Sequence, residues 1–75
     1  MRLKELRLKA GVTQAKLAVM ANVGVDTIRK IEQGVHAPNL MTAKRLAEAL
    51  GVLLNQNPSI LLGLLAEEEQ KKEAS

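Results

Sequence analysis

The sequence predicts an all-α domain of five short helices. Three observations lead there: apolar residues recur at helical spacing in successive segments, capping residues open those segments, and Gly or Asn closes them. No Pro/Gly/Ser-rich stretch, internal repeat or low-complexity tract divides the 75 residues, so one domain is expected. A chain this short buries a comparatively small fraction of its surface on folding. Its stability then depends on tight aliphatic packing or on a partner, and self-association is expected.

The first helix runs from Arg2 to Ala10. It places Leu3, Leu6 and Ala10 inward and Arg2, Lys4, Glu5, Arg7 and Lys9 elsewhere, with Gly11 where a helix C-terminus favours it. Thr13 is the expected N-cap of a second helix that carries Leu17, Ala18 and Ala21 inward. It stops at Asn22, one of the few residues besides Gly that tolerates the left-handed conformation.

Only Val23 and Gly24 separate it from a third helix, Val25 to Gln33, which ends at Gly34. At about 100° per residue, Ile28, Ile31 and Thr27 share one side of this helix. Asp26, Arg29, Lys30 and Gln33 share the other, with Val25 at the border. Such a helix packs with one face and offers the other. After Val35, His36, Ala37 and Pro38, Asn39 caps a fourth helix with Leu40, Ala43, Leu46, Ala47 and Leu50 inward, closed by Gly51. Asn57 and Pro58 suit the cap and first position of a fifth helix, Ser59 to about Lys71, which begins apolar and ends in Glu67, Glu68 and Glu69.

Composition excludes several classes of function. The absence of Cys removes disulfides and thiolate metal sites, and a single His cannot build a His-based metal cluster. No catalytic role falls to His36, and there is neither a phosphate-cradling Gly-rich loop nor a paired-carboxylate pocket. An enzyme is not expected, and no cofactor or metal is expected. The longest apolar run, Ile60 to Ala66, is far shorter than the roughly 18 to 20 residues of a membrane span. Arg2 to Lys9 is too charged for a signal peptide, so a cytoplasmic protein is expected. Residues 1–65 hold nine Lys/Arg against four Asp/Glu, a formal +5, and residues 66–75 hold two Lys against four Glu, a formal −2. The basic body suits a polyanion, a weak indication by itself.

Two short helices joined by a tight turn, the second with a free polar face, form the tandem used to read DNA. The residues at these places are Thr13-Gln14-Ala15-Lys16-Leu17-Ala18, Ala21-Asn22-Val23, Thr27 through Gly34, Pro38-Asn39, and Leu46-Ala47-Glu48-Ala49-Leu50-Gly51-Val52. In order and spacing they resemble the phage repressor and Cro family, also called the XRE family, over residues 3 to about 54. The resemblance implies a lambda-repressor-like helix-turn-helix DNA-binding domain over residues 1–57. Residues 58–75 would form a C-terminal helix serving dimerisation, with a frayed acidic tail. The implied function is a sequence-specific, repressor-like transcriptional regulator of double-stranded DNA.

The resemblance also sets Gln14 against a phosphate and lays the third helix, including Thr27 and Gln33, in the major groove. Val25, Asp26, Arg29 and Lys30 would then face bases. Arg29 or Lys30 suits guanine O6 and N7, Val25 a thymine methyl, and Asp26 cytosine N4. Helix N-termini after Thr13 and Asn39 would hold phosphates. Gly24 stands where the family often has Ser or Thr, leaving the third helix without a side-chain cap. Lys16 replaces the acidic residue of a capping box and adds a charge near phosphate. The loop Val35-His36-Ala37 lacks the basic residues common there, so one protomer is expected to bind modestly. Leu62 lies outside the arc holding Ile60 and Leu64, so the fifth helix has a second apolar side for a homodimer. Recognition helices would then stand about 34 Å apart. The alternative is a protein-interaction module or antitoxin-like protein that holds a protein partner through this helix and tail.

Overall fold

The computed structural model describes residues 2–65. Over them the chain forms α1 (Arg2–Ala10), α2 (Gln14–Ala21), α3 (Val25–Glu32) and α4 (Leu40–Leu54). A fifth helical segment, α5, covers 58–65, and there is no strand among the described residues. The expected continuation of α5 to about Lys71, with its acidic end at Glu67, Glu68 and Glu69, lies outside the described residues.

Helix starts follow the side chains that cap them. Thr13 Oγ1 accepts from the Lys16 amide at 3.0 Å, and Asn39 Oδ1 accepts from the Thr42 amide at 2.8 Å. Each satisfies one of the amides that a helix leaves without an internal partner. Asn57 Oδ1 accepts from the Ser59 amide at 2.9 Å at the start of α5.

The core is built from every element. Leu3, Leu17, Ile28, Ile31, Leu46, Leu50, Leu61 and Leu65 are its fully buried large side chains, with Ala18, Ala21, Ala43, Ala47 and Ala49 packed among them. Burying each such Leu or Ile contributes roughly 1.5–3 kcal/mol, so losing any one element would expose several kcal/mol of packing. α2 packs on both α3 and α4, and α1 packs on α4 and α3. This arrangement buries the inner face of α3 and leaves its outer face open.

Four sequence expectations are corrected. The fourth helix does not close at Gly51: it continues to Leu54 and stops at Asn55, whose φ of 55° and ψ of 47° are left-handed. Gly51 is instead a packing position. A Cβ there would lie 2.9 Å from the Gln56 carbonyl oxygen and 3.1 Å from Pro58 Cγ, so a bare Cα lets the α4–α5 connection fold back onto the helix. Leu40 is exposed rather than inward, because helical side chains lean toward the N-terminus and the first residue of α4 projects past the body. Thr27 is exposed at the open end of α3, bordering a groove shared with the loop after that helix. Ile60 is also exposed, since α5 turns Leu61 and Leu65 into the core and leaves Ile60 on its outer flank.

Candidate nucleic-acid interface

The turn between α2 and α3 owes its sharpness to Asn22, with φ 56° and ψ 47°. In this conformation the Asn22 amide reaches the Ala18 and Val19 carbonyls, and the Val23 amide donates to Ala18 O at 3.0 Å. The last carbonyls of α2 are thereby satisfied without further chain length. Arg45 Nη1, from α4, donates to Asn22 O at 3.3 Å and braces the same turn. α3 then starts at Gly24, which offers no side-chain cap; the Thr27 and Ile28 amides are satisfied by its carbonyl.

The two sides of α3 separate sharply. Ile28 and Ile31 are buried, whereas Asp26, Arg29, Lys30 and Gln33 are exposed and Val25 is half-buried at the border. On the exposed side Arg29 Nη1 lies 2.6 Å from Asp26 Oδ1, with side chains 49% and 75% exposed. Exposed pairs of this kind are worth about 0–1 kcal/mol, so Arg29 can leave Asp26 for a better partner. A shallow groove beside this face is lined by Asp26, Thr27, Lys30, His36, Pro38, Asn39 and Thr42, bringing the start of α4 next to α3. Thr13, Lys16 and Gly24 are exposed where α2 and α3 begin. Among the described residues there is no group of three or more His, Cys, Asp or Glu that could hold a metal ion. No described helix is long and apolar enough to cross a membrane.

Gln14 occupies the first position of α2, half-buried, and its Nε2 donates to Glu32 Oε1 at 3.0 Å. The same carboxylate receives Arg7 through Nε to Oε2 at 2.7 Å and through Nη2 to Oε1 at 3.1 Å. Arg7 Nη1 donates in turn to Val12 O at 3.0 Å, just ahead of the Thr13 cap. The side chains of Arg7 and Glu32 are only 11% and 5% exposed. Burial pushes the Glu32 carboxyl upward, but hydrogen bonds from Arg7 and Gln14 and the charges of Arg7 and Lys4 outweigh it, holding the group below the usual carboxylate range. The bond to Glu32 raises the Arg7 guanidinium in turn.

Sequence reasoning missed this network by leaving Arg7 out of the inward set of α1 and giving Glu32 no role. The signal was present: Arg7 stands four residues after Leu3, and Glu32 four after Ile28, so each charge interrupts an apolar stripe.

Comparison with known proteins agrees with this geometry. A family model described as helix-turn-helix matches residues 3–56. A protein of Methanothermobacter thermautotrophicus, described as an uncharacterized HTH-type transcriptional regulator, is 41% identical over 49 residues, covering 65% of this chain and 71% of the relative. No solved structure gives a significant match.

Proposed function

The chain belongs to the XRE-like helix-turn-helix family, and from that membership we propose that it is a sequence-specific transcriptional regulator that occupies a DNA operator as a dimer. The observation that carries the reading is the division of α3, anchored by Ile28 and Ile31 while Asp26, Arg29 and Lys30 are exposed on its other side, the first two joined only by a surface ion pair. Laid in a major groove, α3 would offer Arg29 or Lys30 to guanine O6 and N7, Val25 to a thymine methyl and Asp26 to cytosine N4. Thr27 and Gln33 flank this set. Gln14, Lys16 and the amides at the starts of α2 and α4, capped by Thr13 and Asn39, would hold phosphates and fix register without choosing sequence. Gly24 lets the backbone at the start of α3 approach the duplex but offers no hydroxyl.

A dimer suits the small size of the domain and the several apolar side chains left outside it, among them Val52 at 77% and Ile60 at 61% exposure. A twofold arrangement places two α3 helices on half-sites one helical turn apart and compensates for the uncharged Val35-His36-Ala37 loop by avidity. Where such a site overlaps a promoter, occupancy would act as repression. It needs no cofactor and no catalytic residue. A monomer in sedimentation at micromolar concentration would remove the dimeric part of the reading.

The test is selection of bound sequences from a random duplex pool at near-physiological salt, followed by titration of the winning duplex. An enriched palindrome is expected. No enrichment, with only weak salt-sensitive binding, would overturn sequence-specific regulation. It would favour the second reading, a protein-interaction module that uses the exposed Val52 and Ile60 to hold a protein partner, as an antitoxin does.

A further inference from the structure

We propose that Glu32 is a positioning residue for DNA binding: it orients the Gln14 side-chain amide so that a donor, and not an acceptor, faces the phosphate backbone. The inference rests on the reading of Gln14 as a phosphate contact. A carboxylate can only accept hydrogen bonds, so it must face the NH2 edge of the Gln14 amide. The bond from Nε2 to Glu32 Oε1, at 3.0 Å, consumes one of the two amide hydrogens and locks the group against a flip. The second hydrogen remains for an external oxygen. Without Glu32 the amide is free to turn its own oxygen outward, where a phosphate would repel it.

Arg7 completes the arrangement in two ways. Its guanidinium grips both Glu32 oxygens and balances a negative charge that would otherwise stand behind a phosphate site. Its Nη1 holds Val12 O, the carbonyl immediately before the cap of α2. The last residue of α3 and the first turn of α2 are thus fixed through one carboxylate. Register of the groove-facing helix and orientation of the phosphate donor are set together. No buried side-chain nitrogen or oxygen among the described residues lacks a partner, so the network is complete before DNA arrives.

A double-mutant cycle on the full chain tests this, using the duplex recovered by selection and a random-sequence duplex of equal length. Affinity and melting temperature are read for Gln14→Ala, Glu32→Met and the double variant. Gln14→Ala is expected to weaken binding about tenfold or more, the value of one hydrogen bond to a charged acceptor. Glu32→Met should weaken binding about as much in the native background but under about twofold in the Gln14→Ala background, since the two act as one unit. Its lowered melting temperature should persist in both backgrounds. Losses in affinity that multiply, or a Glu32→Met variant that lowers melting temperature alone, would overturn the proposal. Should Glu32→Met fail to fold, the two Gln14 amide protons of the native protein decide by NMR. One should stay protected against Glu32 while the other shifts on adding duplex; both unmoved overturns the proposal. A native chain that binds neither duplex overturns the reading beneath it as well.

Discussion

Arg7 and Glu32 stand 25 residues apart and meet through two hydrogen bonds of 2.7 and 3.1 Å, joining the first helix to the last residue of the third. Both side chains are nearly enclosed, so removing either leaves the other charge without its partner in poor solvent contact. Arg7→Met is expected to destabilise the fold by about 2–4 kcal/mol. Urea unfolding at neutral pH measures it; a change under about 0.5 kcal/mol, the range of ordinary surface substitutions, would contradict the role assigned to the pair.

The same carboxylate makes stability depend on pH. The folded-state pKa of Glu32 is depressed below an unfolded value of about 4.3. Its contribution is therefore complete above about pH 5 and declines as pH falls through the unfolded and then the folded value. The gap in urea midpoint between the native chain and Glu32→Gln should be widest near neutrality and narrow steadily below that range. A gap that widens on acidification would mean that folding raises this carboxyl instead of lowering it.

Gly51 invites a change that helix propensity alone would recommend. Alanine is better than glycine in a helix interior by about 1 kcal/mol, but the added methyl meets the Gln56 carbonyl oxygen at 2.9 Å. Backbone must move, and overpacking of this kind costs about 1–3 kcal/mol. Gly51→Ala is expected to lower the thermal midpoint; a raised midpoint would mean that the α4–α5 connection shifts freely.

Gly24 has the opposite character. Its φ of −74° is open to any residue, and an added Cβ lies 3.6 Å from Thr27 Oγ1, an ordinary contact. Gly24→Ser supplies the missing cap of α3 and narrows the unfolded ensemble, so a gain of about 0.5–1 kcal/mol is expected in urea unfolding.

On DNA, Arg29→Ala should relax preference at particular base pairs, by about 1–3 kcal/mol at a guanine it reads. Lys16→Ala should weaken specific and random duplexes alike and flatten the salt dependence. Competition titrations at two salt concentrations separate the two; equal effects of both variants on both duplexes would defeat the division of labour.

Much of the fold was legible because caps and stops act over one turn. Thr13, Asn22 and Asn39 each do in the structure what their side-chain chemistry predicts. Gly51 misled because glycine has two uses, a positive φ or close packing, and only the path of residues 56–58 distinguishes them. Leu40 and Ile60 fit an apolar stripe, yet burial requires a neighbour, and periodicity does not say where the body ends. On α3 the polar side was readable from spacing. What Gln14 bonds to was not, since Arg7 and Glu32 reach it from two other helices.

The aliphatic core has an optical consequence. Leu, Ile and Ala fill it, and the chain contains no Phe, Trp or Tyr at all, so the protein is silent in intrinsic fluorescence and nearly so in near-ultraviolet absorbance. Light absorbed there by a complex belongs to the nucleic acid. A single tryptophan at Val19, 79% exposed on α2, would be the sole protein emitter and would report on its surroundings against a dark background.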